Sequence, residues 1–119
     1  MRNTSSLKLN NDFRRLYSRG KCHAGAYVVV YMMKTRRKDK RLGLTVGKSF
    51  GKAVKRNRMK RLMRESYRSL EGNISGGYDF VIVARSRAVG TSFAQVKRDM
   101  EYAFGKLGLY NEKNTHFIN

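Results

Sequence analysis

Residues 52 to 65 read KAVKRNRMKRLMRE, and the helical pattern they begin runs from about Ala53 to Leu70. At about 100° per residue, Met59, Leu62, Met63, Ser66 and Leu70 fall within one arc. The opposite arc carries Arg56, Asn57, Lys60, Arg61, Arg64 and Arg68, with Arg58 and Glu65 on its far flank. Such a helix can be buried on one side only. It must form the outer layer of a small layered fold, with its charged side left open. Arg56, Lys60, Arg64 and Arg68 are each four residues apart. Like charges at that spacing repel by a few tenths of a kcal/mol per pair. Residues 48 to 64 hold eight basic side chains and no acid that would offset this. Solvated faces ordinarily mix signs. A face of one sign points instead to a polyanion, and arginine suits bidentate grip of phosphate. Asn57 adds a neutral donor and acceptor to this face, fit for a sugar hydroxyl, a phosphate or a metal-bound water.

The whole chain shares this bias. It has 119 residues, with 27 Lys and Arg against 8 Asp and Glu, a net charge of +19. That length predicts one domain, 1–119, around one modest core. The charge leaves nucleic acid or an anionic membrane as partner. The longest apolar run, AYVVVYMM at 26–33, is far shorter than the roughly 20 residues of a spanning helix. The N-terminus lacks the apolar stretch of a signal peptide, so a cytoplasmic protein without membrane contact is expected. Cys22 has no second cysteine to pair with and reads as structural or incidental.

No protein active site is visible. His23 lies in a connector and His116 in a polar tail, with no third group to orient either, so both read as surface residues. The acids Asp12, Asp39, Glu65, Glu71, Asp79, Asp99, Glu101 and Glu112 are scattered, whereas a two-metal nuclease needs clustered carboxylates. No catalytic residue and no metal ligand is assigned to the protein. Helix-turn-helix and zinc-finger patterns are absent, which disfavours a reader of duplex DNA.

The elements follow from periodicity and punctuation. SLKL at 6–9 is an extended lead-in. Asn10 or Asn11 caps a first helix, NDFRRLYSR, which places Asp12 in its first turn and stops at Gly20. KCHAG is a connector or an extra short strand. AYVVVYMM and LGLTVG are strands joined by the basic turn KTRRKDKR, and they read as an antiparallel hairpin. KSFGK is a basic loop before the central helix, and GNISGG follows it. YDFVIVARS at 78–86 is a third strand. Ser92 with Gln95 makes a capping box. The helix it opens sets Phe93, Val96, Met100, Phe104 and Leu107 on one face and ends at Gly108. The prediction is an α/β (α+β) two-layer sandwich, a small mixed sheet with three helices in the order α-β-β-α-β-α. The helices cover one side of the sheet and the other side is free for binding. The ordered core spans about 7–108, and 109–119 is a polar, frayed tail.

KRNRMKRLMRE resembles the RNR signature of the bacterial ribonuclease P protein subunit. NDFRRLYSRG, VVVYMM, RLGLTVGKSFGKAVKRNR and DFVIVAR are similar to the rest of that family in order and spacing, over about residues 7–108. The resemblance implies a ribonucleoprotein in which a catalytic RNA and magnesium ions hydrolyse the phosphodiester that holds the 5′ leader of precursor tRNA. The protein is implied to bind that RNA and the leader, as a monomer in a 1:1 complex. A left-handed βαβ crossover is implied as well. By position, Arg56, Asn57, Arg58, Lys60, Arg61, Arg64 and Arg68 are implied to face the catalytic RNA. Phe13, Tyr17, Tyr31, Lys48, Ser49, Lys52 and Arg85 are implied to face the leader. Aromatic platforms in a basic groove are how single strands are commonly held. Phe13 either stacks on RNA or packs on the sheet, since a helix also needs core anchors. SFG in KSFGK is bulkier than the family's usual loop. The other reading that composition allows is a ribosomal-type structural RNA-binding protein with no role in cleavage.

Overall fold

The computed structural model describes residues 3 to 110. Its strands are β1 (Thr4–Ser6), β2 (Lys21–Ala24), β3 (Val28–Lys34), β4 (Lys40–Thr45) and β5 (Tyr78–Ala84). Its helices are α1 (Asn10–Arg19), α2 (Ala53–Leu70) and α3 (Phe93–Lys106). They form an α+β fold with a five-stranded mixed sheet in the order β1-β4-β5-β3-β2. KCHA is thus a strand, and a further short strand precedes the expected lead-in. His116 and most of the predicted tail lie outside the described residues. Leu109, which the sequence places in that tail, is fully buried, and Tyr110 bridges to Ile74.

The expected β3–β4 hairpin does not form. β5 lies between the two strands, antiparallel to β3 and parallel to β4. The physical reason is in β5 itself. Phe80, Val81 and Ile82 are all 0% exposed, so this strand needs cover on both faces and a neighbour on each edge. The link 35–39 instead wraps over Gly76 and Gly77. Thr35 N–H donates to Gly77 C=O and Gly77 N–H to Asp39 C=O. A Cβ on Gly76 would lie 2.1 Å from the Lys38 carbonyl oxygen, so only glycine fits this crossing.

Alternation along the strands divides the side chains between two faces. Val28, Val30, Met32, Leu42, Phe80 and Ile82 pack with α2 and α3 in the main core. Met59, Leu62, Met63, Ser66 and Leu70 are buried there, as the helical arc predicts, and Tyr67 joins them. Tyr67, Phe80 and Phe104 form an aromatic cluster with centroids 5.8 to 6.2 Å apart. Each large apolar side chain so buried contributes about 1.5–3 kcal/mol. That outweighs the repulsion along the outer side of α2, so the helix forms despite its charge. On α3, Phe93 is exposed and Leu107 only partly buried, while Ala103 joins Val96, Met100 and Phe104 in the core.

The second face is not free of helices. Leu16 of α1 packs with Leu7 and Val81, and Phe13, Tyr31, Met33 and Val83 adjoin them. Helical cover on one side therefore holds for α2 and α3 only. Neither asparagine caps α1. Leu9 is the N-cap, and its carbonyl accepts from the N–H groups of Asp12 and Phe13. The helix begins at Asn10, earlier than an asparagine cap would allow, so Asn10 and Asn11 lie exposed in its first turn. Asp12 is in that turn as expected, but buried.

Two carboxylates tie the layers together. Asp99 of α3 accepts from the backbone N–H groups of Ala26, Tyr27 and Val28 at 2.9–3.0 Å, which holds the β2–β3 turn. Asp79 accepts two bonds from Arg41 at 2.6 and 3.0 Å and one from Arg37 at 2.5 Å. Arg41 also reaches Asp12 of α1 at 3.4 Å, and Arg15 binds the other oxygen of Asp12 at 3.0 Å. Burial alone would raise the carboxyl of Asp79, but the bonds from Arg41 and Arg37 outweigh it and hold its pKa low. Arg41 is held charged in return, chiefly by its bond to Asp79.

Asp99→Ala strands three donors and is expected to lower unfolding stability by about 2 kcal/mol or more. A loss under about 0.5 kcal/mol in urea denaturation would contradict that role. Asp79 has a folded pKa below its unfolded one. Its contribution is complete above the unfolded value of about 3.9 and disappears as pH falls through the folded value. Asp79→Asn should therefore lower stability at neutral pH and flatten the fall of stability below about pH 4. Parallel acid profiles for the two proteins would refute it.

Candidate nucleic-acid interface

The outer side of α2 carries the cations that the sequence assigns to it. Asn57, Arg58, Arg61, Arg64 and Arg68 are exposed, and Arg56 and Lys60 sit half-buried at the border of the core stripe. Arg58 is partly occupied within the fold, since its Nη2 donates to the Thr91 carbonyl at 3.1 Å. Among the described residues, no ion pair engages the other cations of this face. Glu65, exposed on the flank of α2, is the one acid of that helix, and most of the other described acids are engaged elsewhere. Asp12 and Asp79 hold Arg41, Asp39 holds Arg37, and Asp99 holds backbone. Glu71 is buried against Thr4.

Lys40 departs from the solvated basic turn that the sequence suggests. It is buried, and its Nζ donates to the carbonyls of Glu71 and Ile74 at 3.3 and 3.4 Å. Burial lowers its pKa, and the Glu71 charge partly restores it.

A second surface lies on the α1 side of the sheet. Register aligns Gly43 of β4, Val81 of β5, Tyr31 of β3 and Cys22 of β2 in one row across the strands. α1 crosses above this row. Phe13 sits directly on Gly43, where a Cβ would lie 2.6 Å from its ring. Phe13 is therefore half-buried, a core anchor that keeps one side accessible. Tyr17 is 43% exposed and meets Tyr31 edge to face at 5.0 Å; its ring lies 6.5 Å from that of Phe13. The three aromatics proposed from the sequence thus converge in one ridge.

Beyond that ridge the sheet is open. The next row is Thr45, Val83, Val29 and Ala24, none of them buried. Individually these residues look ordinary, and only the register shows that they share a floor with Tyr31. Lys48, Ser49 and Lys52 are exposed in the turn after β4, at the end of this floor. Phe50 in the same loop is buried in the main core, which directs its three polar neighbours outward. Gly51 permits this turn with φ 144°. Arg85 follows β5, and its Nη1 donates to the Gly25 carbonyl at 2.7 Å, so it also braces the β2–β3 turn. The arrangement is a cleft with an aromatic wall, a small-residue floor and a basic rim. The loop 48–52 joins it to the basic side of α2.

Among the described residues, no group of three or more His, Cys, Asp and Glu side chains is placed to hold a metal ion. No described helix is long and apolar enough to cross a membrane.

Comparison with known proteins agrees with the architecture. A family model described as Ribonuclease P matches residues 1–108. The ribonuclease P protein component of Caldanaerobacter subterraneus is 41% identical over 109 residues, covering 92% of this chain and 94% of the relative. That of Clostridium acetobutylicum is 40% identical, covering 91% and 94%. The solved RNase P protein of Staphylococcus aureus superposes with a TM-score of 0.81 at 31% identity, over 89% of this chain and 97% of that one. The RNase P protein of Thermotoga maritima gives 0.74 at 33% identity, over 82% and 92%. Five strands and three helices among the described residues, a strongly basic helix and near full-length similarity agree: the chain belongs to the ribonuclease P protein family, the RNA-binding protein component of that tRNA-processing endoribonuclease.

Proposed function

We propose that the protein uses its two surfaces for two RNAs. The outer side of α2, with Arg56, Asn57, Arg58, Lys60, Arg61, Arg64 and Arg68, binds the catalytic RNA. The cleft of Phe13, Tyr17 and Tyr31, rimmed by Lys48, Ser49, Lys52 and Arg85, binds the single-stranded 5′ leader of precursor tRNA. The observation that carries this division is the convergence of the three aromatics beside open sheet, on the face opposite α2. Stacking on such a platform is worth about 1–3 kcal/mol per base and tolerates any sequence. The basic helix instead offers phosphate contacts, which position an RNA without reading its bases.

The hydrolytic step belongs to the RNA in this reading. Mg²⁺ is held mainly by RNA phosphates, and the protein supplies affinity and alignment as a monomer in a 1:1 complex in the cytoplasm. By lowering phosphate repulsion near the active complex, its cations reduce the magnesium needed for folding and cleavage. The protein should therefore restore precursor-tRNA cleavage by a bacterial ribonuclease P RNA at low magnesium. Unchanged cleavage, together with equal binding to unrelated structured RNAs, would favour a purely structural RNA-binding protein.

Single substitutions separate the surfaces. Arg64→Ala should weaken the catalytic RNA complex and reduce the slope of log affinity against log salt by about 1. Arg58→Ala should do the same and also loosen the Thr91 contact, so Arg64 is the cleaner probe. Tyr17→Ala should weaken precursors that carry a leader and spare leaderless ones. Equal losses on both substrates would show that the cleft does not select the leader.

A further inference from the structure

A third cationic–aromatic surface lies on α3 and borders the β2–β3 turn, which Arg85 of the cleft rim also contacts. Gln95, Arg98, Tyr102 and Lys106 follow one another at three- and four-residue steps and so share a stripe. Tyr102 is 54% exposed, more than Tyr17. The edge strand β2 brings His23 to it: the rings meet edge to face at 5.6 Å. His23 pairs with Val30, whose side chain enters the α2–α3 core, so His23 faces the α3 side while Cys22 and Ala24 face the cleft of α1. Lys106 Nζ lies 5.4 Å from the centre of the Tyr102 ring.

Beside Tyr102 is a cavity of about 350 Å³, lined by Ala26, Tyr27, Gln95, Arg98, Asp99 and Tyr102. Its chemistry is that of a nucleotide site. Tyr102 and Tyr27 offer rings, and the Gln95 amide reaches the Tyr27 hydroxyl at 3.4 Å. Among the described residues, Arg98 has no carboxylate partner. Asp99 lines the same cavity, and the backbone N–H groups of Ala26, Tyr27 and Val28 that donate to its oxygens offset part of its charge. Glu101 points about 100° away from Tyr102 around the helix. An exposed aromatic between two cations at helical spacing has no role in the core. It matches the combination of stacking platform and phosphate grip by which single strands are bound.

We propose that this cavity is a second site for single-stranded RNA, with a base stacked on Tyr102 and the flanking phosphates held by Arg98 and Lys106. The strand comes either from a leader that passes over the edge strand β2 or from an unpaired segment of the catalytic RNA. Only the choice between these two sources rests on the function proposed above.

The test uses the full chain and a single-stranded oligouridine probe, followed by fluorescence anisotropy, with thermal midpoints to show that the variants fold. Tyr102→Ala should weaken the probe at least about fivefold, the low end for one lost stack. Tyr102→Phe, which keeps the ring, should restore it. Arg98→Ala should weaken it too and reduce the salt slope by about 1. In the reconstituted complex, a Tyr102→Ala loss confined to long-leader precursors supports the site and assigns it to the leader. A loss that extends to leaderless precursors supports the site and assigns it to the catalytic RNA. Unchanged oligouridine affinity in Tyr102→Ala overturns the proposal, whatever Tyr17→Ala does to leader selection.

Discussion

The strand Tyr78–Ala84 is buried on both faces, and the other elements take their places from that. Its even-numbered residues Phe80 and Ile82 demand the α2–α3 layer, and Val81 demands α1. Its edges recruit β3 on one side and β4 on the other. The one charge in its buried stretch, Asp79, is tolerable only because two arginines bond to it. One of those, Arg41, reaches on to Asp12 and so links α1 to the sheet. The angle of α1 over the sheet, and with it the width of the cleft, thus depends on the start of the central strand.

A protein with net charge +19 must also keep its cations from being neutralised by its own acids. Here most described carboxylates are engaged in holding strands, turns and helices together. Asp99 serves backbone, Asp12 and Asp79 share Arg41, and Glu71 is buried near Lys40. The outer face of α2, where Glu65 is the one acid, therefore stays strongly positive. That potential opposes folding in the free protein and becomes favourable when phosphates and released counterions balance it. Apolar burial under Met59, Met63, Tyr67 and Leu70 is what lets the helix hold the charge until then.

Much of the site was legible along the chain. The α2 arc depends on spacing of 3.6 residues, a purely local property, and its boundaries and core stripe agree with the structure. The capping box of Ser92 and Gln95 is equally local, and both of its bonds are present. The hairpin failed because adjacency in sequence is weak guidance when a third strand is buried on both faces and needs a neighbour on each edge. The asparagine cap failed because the chain is already helical at Asn10, which leaves the exposed Leu9 as the N-cap. Val29, Thr45 and Val83 escaped notice because a floor residue carries no chemical signature. They matter through the register that sets them beside Tyr31.

By itself, the sequence determined the three helices and the three longer strands, the strongly basic face of α2 and the aromatic spacing on α1, since each depends on residues within a few turns of one another. Its motifs were enough to indicate the family. Only the tertiary structure decided that β5 separates β3 from β4, because burial of both strand faces is a property of the whole sheet. It also decided that KAVKRNRMKRLMRE and the aromatics lie on opposite sides of that sheet. The cause is the two-residue alternation of β3 and β5, which sends neighbouring side chains to opposite layers and so gives the fold two chemically distinct faces.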